Sequence, residues 1–252
     1  MFTDKERVLA NEASLTASLL GNGLNALRKA DIYNKGLYYQ AFFSLSIGIE
    51  RLLKIILITQ YRCAHEGDFP VDLDLKKIGH DLNKLCQRAG VPFEEGSLHE
   101  RIVSFLNEFA VKSRYYNIDS MLDKKIQYYD PLCQWALIAQ DILGTTKRRR
   151  TMGNKRELAA MMDSISVIRF HDLQGNEINQ AMGLLDKLEN RTAVQQYSVQ
   201  YMFEIIRKLV AEVRRLERVR YMMPVLTEFF TLYGPGLTPS EIRKKRDWLR
   251  LC

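Results

Sequence analysis

Apolar positions recur along most of this chain at intervals of three and four, the spacing that gathers them on one face of an α-helix. The longest run lies between Gly36 and Arg62, where Tyr38, Phe42, Leu45, Ile49, Leu52, Leu53, Ile56 and Leu57 define one face. This pattern predicts a central core helix of roughly 25 residues, longer than the average helix. Ahead of it, a helix is expected from Thr3 or Asp4 to about Leu20. Gly21-Asn22-Gly23 should close it, because Gly and Asn adopt the left-handed cap conformation at little cost, and a short helix over 24–30 should follow.

Further helices are expected from Asp74 to the residue before Gly90, from about Ile102 towards Val111, and over Pro131–Leu143 with Asp130 as cap. Beyond these come Glu157–Arg169, Asn176–Leu188, and a long helix from Thr192 to about Met222, which Pro224 should kink or end, with a continuation through Tyr233. Inside the long helix, Met202, Ile206, Leu209, Val213 and Leu216 alternate steps of four and three. That is the seam spacing of a coiled coil or helical hairpin, and it predicts a homodimer. Thr238-Pro239-Ser240-Glu241 combines a cap residue, a first-turn proline and the reciprocal glutamate, so a terminal helix should run from Pro239 to about Leu251.

The expected fold class is therefore all-α. A helical bundle over 1–145 is followed by a basic linker over 146–156 and a C-terminal helical region over 157–252 with one long helix. Composition supports this, since only 14 Gly and 6 Pro punctuate 252 residues, too few for a turn-rich sheet protein. The most apolar stretch, Ala41–Ile58, is interrupted by Glu50, Arg51 and Lys54, which are costly at bilayer depth. It reads as a core helix, not a membrane span. The charged start, Met1 to Arg7, lacks the pattern of a secretory signal, and a cytoplasmic protein is expected.

Charge sharpens the picture. Residues 1–140 hold 17 Lys and Arg against 17 Asp and Glu, whereas residues 191–252 hold 12 against 6. Three basic groups stand out as candidate nucleic-acid contacts: Lys147, Arg148, Arg149, Arg150, Lys155 and Arg156 in the linker, Arg243, Lys244, Lys245 and Arg246 on the terminal helix, and Arg207, Lys208, Arg214, Arg215, Arg218 and Arg220 along the long helix. Such groups act on phosphates, giving salt-dependent binding without sequence readout. A solvated linker or helix face would look the same in one dimension.

Catalytic motifs are scarce. There is no Walker loop, GxGxxG, HExxH or GxSxG, and the cysteines form no CxxC pair. Cys63, His65, His80 and Cys86 are scattered without ligand spacing, so neither metal nor cofactor is expected. Glu50 and Lys54 suit an ordinary ion pair at i, i+4. His80, just before Asp81 at a helix start, suits a packing or capping role as well as a chemical one.

Three stretches carry a family resemblance: the helix Tyr38–Lys54 with Glu50 ahead of Lys54, then Gly79-His80-Asp81-Leu82, then Ser113-Arg114-Tyr115-Tyr116. In this order they resemble the HEPN superfamily of helical domains, over about the first 145 residues. The resemblance implies association with RNA, in toxin–antitoxin or anti-phage defence systems of prokaryotes, and dimerisation. Its ribonucleases carry arginine, four to six residues, then histidine, and cleave without metal. Here Arg114 stands in place but Tyr115 to Met121 supply no histidine, which favours a binding, regulatory or catalytically atypical member. Arg114 and His80 are the candidate catalytic residues. The alternative is a helical adaptor or assembly subunit that binds a protein partner through its long C-terminal helix.

Overall fold

A computed structural model describes residues 3–71, 79–113, 115–122, 130–146 and 154–249. Thr3 opens α1 (Asp4–Lys29): its side chain accepts from the Glu6 N–H, and Glu6 accepts in return from the Thr3 N–H at 2.8 Å. The helix does not stop at Gly21-Asn22-Gly23 as expected. A Cβ on Gly21 would stand 2.6 Å from the Trp248 carbonyl oxygen, and one on Gly23 would stand 2.5 Å from Leu45 Cγ. These glycines serve close packing inside a continuous helix, and tertiary contact overrides their helix-stopping tendency.

The expected core helix is α2 (Lys35–Ala64), with Tyr38, Phe42, Leu45, Ile49, Leu52, Leu53 and Ile56 all buried. Part of the helix expected from Asp74 lies outside the described residues. Its described portion, α3 (Leu82–Arg88), starts only after Gly79 at φ 71°, with Asp81 as cap. Ser97 caps α4 (Leu98–Glu108), whose last turn widens into a π-helical turn over Phe109–Ser113. A short α5 (Tyr116–Met121) precedes α6 (Pro131–Gly144), where Asp130 caps as expected by accepting from the Leu132 N–H at 2.7 Å.

After α7 (Lys155–Ile165) the chain departs from the helical reading. Strands β1 (Phe170–His171) and β2 (Glu177–Ile178) form a small antiparallel hairpin. Asp172 holds its turn, accepting from the Gln174 and Asn176 N–H groups, and Gly175 supplies φ 79°. From there one helix, α8 (Ala181–Val219), runs for 39 residues and absorbs the two helices expected on either side of residue 190. Nothing in Leu188-Glu189-Asn190-Arg191-Thr192 is a breaker, so the helix continues. Two short 3₁₀ turns follow, and α9 (Pro239–Lys244) opens with the expected capping box. It ends earlier than expected because the chain turns to bury Trp248 against Phe203, with ring centroids 5.1 Å apart.

The fold is all-α apart from the hairpin. Met202, Ile206, Leu209 and Val213 are 0% exposed and Leu216 is 4% exposed within a single chain. The stripe expected to serve as a dimer seam is thus spent on the chain's own core, in one hydrophobic cluster with α1 and α2. Among the described residues, no helix is long and apolar enough to cross a membrane.

Candidate nucleic-acid interface

The last turn of α1, the middle of α8 and the segment from α9 to Trp248 meet at one basic face. Arg28 reaches across to α8, where its guanidinium donates to Gln195 Oε1 at 3.3 Å. One and a half turns further along α8, Gln200 Oε1 accepts from Arg243 at 2.5 Å, and the Arg243 guanidinium lies over the Tyr197 ring at 4.8 Å. Both arginines therefore rest on neutral amides. A carboxylate in either place would cancel the charge, whereas an amide fixes the side chain and leaves its field intact.

Arg246 completes the face. Burial pushes the Arg28 pKa down, and the nearby Arg246 charge pushes it down further. Arg28 Nε is buried without a hydrogen-bond partner. Lys244 and Arg246 are exposed, and Lys245 lies over the Trp248 ring at 5.7 Å. Three carboxylates lie close by and keep their charge: Glu241 in the α9 capping box, Asp247, which accepts from Asn25 at 3.2 Å, and Glu204, which accepts from Gln200 at 2.8 Å. Of the sequence candidates, Arg243, Lys244, Lys245 and Arg246 thus gather here. Arg28 was not among them, because its partners stand 167 and more than 200 residues away in sequence.

The linker candidates fare differently. Lys147, Arg148, Arg149 and Arg150 lie outside the described residues, as does Arg114. Lys155 is held by Asp186 at 2.5 Å and by Glu189, and its side chain is 13% exposed. Those carboxylates raise its pKa and neutralise its charge. Arg156 is exposed on α7.

His80 and Lys54 line a separate cleft of about 690 Å³, walled by α1, α2 and Phe69, and Glu50 bonds to both. Glu50 Oε1 accepts from Lys54 Nζ at 2.7 Å and pairs with His80 Nδ1 at 2.8 Å. Burial pushes the Glu50 pKa up, but these two hydrogen bonds outweigh it and hold the carboxyl below its ordinary value. An ionised carboxylate only accepts, so Nδ1 donates and Nε2 is left facing outward on a side chain 76% exposed. The expected Glu50–Lys54 ion pair is present, and His80 joins it across 30 residues. Arg51 is paired with Glu12 at 2.6 Å in the same cleft. Arg51, Lys54 and His80 each have a carboxylate partner there, and Lys5 lies over the Phe69 ring at 5.8 Å.

A second histidine–carboxylate pair went unread in the sequence. His99 Nε2 meets Glu204 Oε2 at 2.8 Å, packed between Phe93 and Tyr201. It ties α4 to α8. Among the described residues, no group of three His, Cys, Asp or Glu side chains is placed to hold a metal ion. No family model, curated protein or solved structure matches the chain.

Proposed function

We propose that this protein binds RNA, through the basic face that joins Arg28 to Arg243 and Arg246. One observation carries the reading: Arg28 and Arg243 are seated on the neutral side chains of Gln195 and Gln200, so their charge remains available to phosphates. The HEPN resemblance supports RNA as the nucleic acid and a role in prokaryotic toxin–antitoxin or anti-phage defence. Binding or regulation fits better than cleavage. In the His80 cleft one imidazole is present, and the carboxylates of Glu50 and Glu12 are committed to cations. Metal-independent strand cleavage calls for one group to take a proton and another to give one.

The adaptor reading loses its main support, since the α8 stripe from Met202 to Leu216 is buried in its own chain. The test is binding of a single-stranded RNA oligonucleotide across a salt series, with cleavage followed in chelator. Binding that weakens steeply with salt, with the RNA left intact, is expected. Failure to bind RNA, together with salt-insensitive association with a copurified protein, would favour the adaptor instead.

A further inference from the structure

Beside the basic face lies a cavity of about 250 Å³, enclosed by the α1–α2 connection, α6, the β-hairpin and the first half of α8. It is joined to that face through one residue. Gln195, which accepts from Arg28, also donates from Nε2 to the Ala30 carbonyl oxygen at 3.1 Å, and Ala30 and Val194 are part of the cavity wall.

The lining has three properties that narrow its occupant. First, its cations are spent: Arg191 pairs with Asp31 at 3.4 Å and Lys187 with Asp172 at 3.0 Å, while Asp186 adds a third carboxylate whose partner, Lys155, is shared with Glu189. A free anion would meet more repulsion than attraction. Second, the walls are largely apolar, from Ile32, Ala136, Ala139 and Leu143. A flat ring suits them better than a sugar. Third, the polar groups not tied up in these ion pairs include the amides of Gln140 and Gln174, which both donate and accept, and the Tyr38 phenol.

Tyr38 is 3% exposed, and burial, with the Asp31 charge adding to it, pushes its pKa well above the ordinary phenol value. The neighbouring Trp135 indole N–H is a donor, buried without a hydrogen-bond partner, so it offers the phenol proton no acceptor. The volume is below the range of about 300–1,000 Å³ typical of drug-sized sites, which leaves room for one ring system.

We propose that this cavity takes a single uncharged nucleobase, splayed from an RNA strand whose phosphates lie along the basic face. The inference rests on the RNA reading, and it gives that reading a base-contacting element. Single-stranded RNA is commonly read in this way, by unstacked bases hydrogen-bonded along their edges.

The test is calorimetric titration of the full chain with adenosine, guanosine, cytidine and uridine, which carry no phosphate and so bypass the basic face. At least one nucleoside should bind. Tyr38→Phe and Gln140→Ala should each weaken it by about 2- to 12-fold, one hydrogen bond's worth, while Ala139→Leu should block it by filling the wall. Thermal melting of each variant checks that it is folded. Nucleoside affinity equal in the parent and in all three folded variants would overturn the pocket. So would the absence of any nucleoside binding in a chain that binds RNA, which would leave the basic face standing. Nucleoside binding that these variants weaken, in a chain that binds no RNA, would support the base pocket and overturn the RNA reading instead.

Discussion

Two groups of cations are anchored on α8, one over residues 186–191 and the other at Gln195 and Gln200, and their surroundings give them opposite meanings. Near the start of α8, Lys155, Lys187 and Arg191 face Asp186, Glu189, Asp172 and Asp31, so positive side chains there are matched by carboxylates. Further along, Arg28 and Arg243 face Gln195 and Gln200, with Arg246 close to Arg28. The first group fastens α7, the hairpin and the α1–α2 connection to α8. The arginines of the second form no ion pair among the described residues. A count of lysines and arginines treats the groups alike, whereas the neutral or anionic partner beneath each cation decides which of them attracts phosphate.

The harshest way to break this comparison removes the support the two groups share. Placing aspartates at Leu209 and Val213, both 0% exposed, buries two unpaired charges, at a cost of several kcal/mol each. That rivals the whole stability of a domain, about 5–15 kcal/mol. The double variant should lose its cooperative melting transition. A folded protein of halved mass in solution would show that the stripe is a dimer seam after all.

A subtler change converts one group into the other. Gln195→Glu with Gln200→Glu keeps the shape of the basic face and sets a carboxylate beneath each arginine. RNA affinity should fall by on the order of tenfold as two phosphate contacts are neutralised, with melting temperature lowered, because each new carboxylate replaces an amide that donated to the Ala30 carbonyl or to Glu204. Fluorescence anisotropy and thermal melting together read both effects. Lys155→Gln is the control from the other group. It should lower stability in urea unfolding, by leaving Asp186 and Glu189 without their shared cation, and leave RNA affinity alone.

The smallest expected effect is the pH dependence of the carboxylate-rich group. Burial pushes the Asp172 pKa up, but hydrogen bonds from Lys187, Asn176 and Gln174 outweigh it and hold the group below the ordinary aspartate value. With the folded value below the unfolded one, its stabilisation is full at neutral pH. It drains away as pH falls through the ordinary value, about 3.9, towards the depressed one. Asp172→Asn should therefore lower stability near pH 7 and flatten the acid limb of the melting curve below about pH 5.

Much of the fold was legible because it depends on local spacing. The α2 face, the Asp130 cap and the Thr238–Glu241 capping box all involve residues within a turn or two of one another. The misreadings share a cause of the opposite kind. Gly21 and Gly23 were read as a stop, yet their role is set by Trp248 and Leu45, far along the chain. The Met202–Leu216 stripe carried the right period, but period alone does not say whether the covering surface belongs to the same chain. At the candidate interface, Arg243–Arg246 could be seen as a cluster of charge. Their glutamine seats, and Arg28 beside them, could not, since nothing in one dimension marks Gln195 and Gln200 as partners of arginine.

The central claim is that cations resting on amides, and not those resting on carboxylates, carry the RNA affinity. The salt dependence of RNA binding tests it most directly, because the log–log slope counts phosphate contacts at about 0.7 per contact for a single strand. Arg243→Gln with Arg246→Gln should flatten the parent slope by roughly one and a half units, while Lys155→Gln leaves it unchanged. Equal slopes in the parent and the double arginine variant, or a flattening caused by Lys155→Gln alone, would contradict the account.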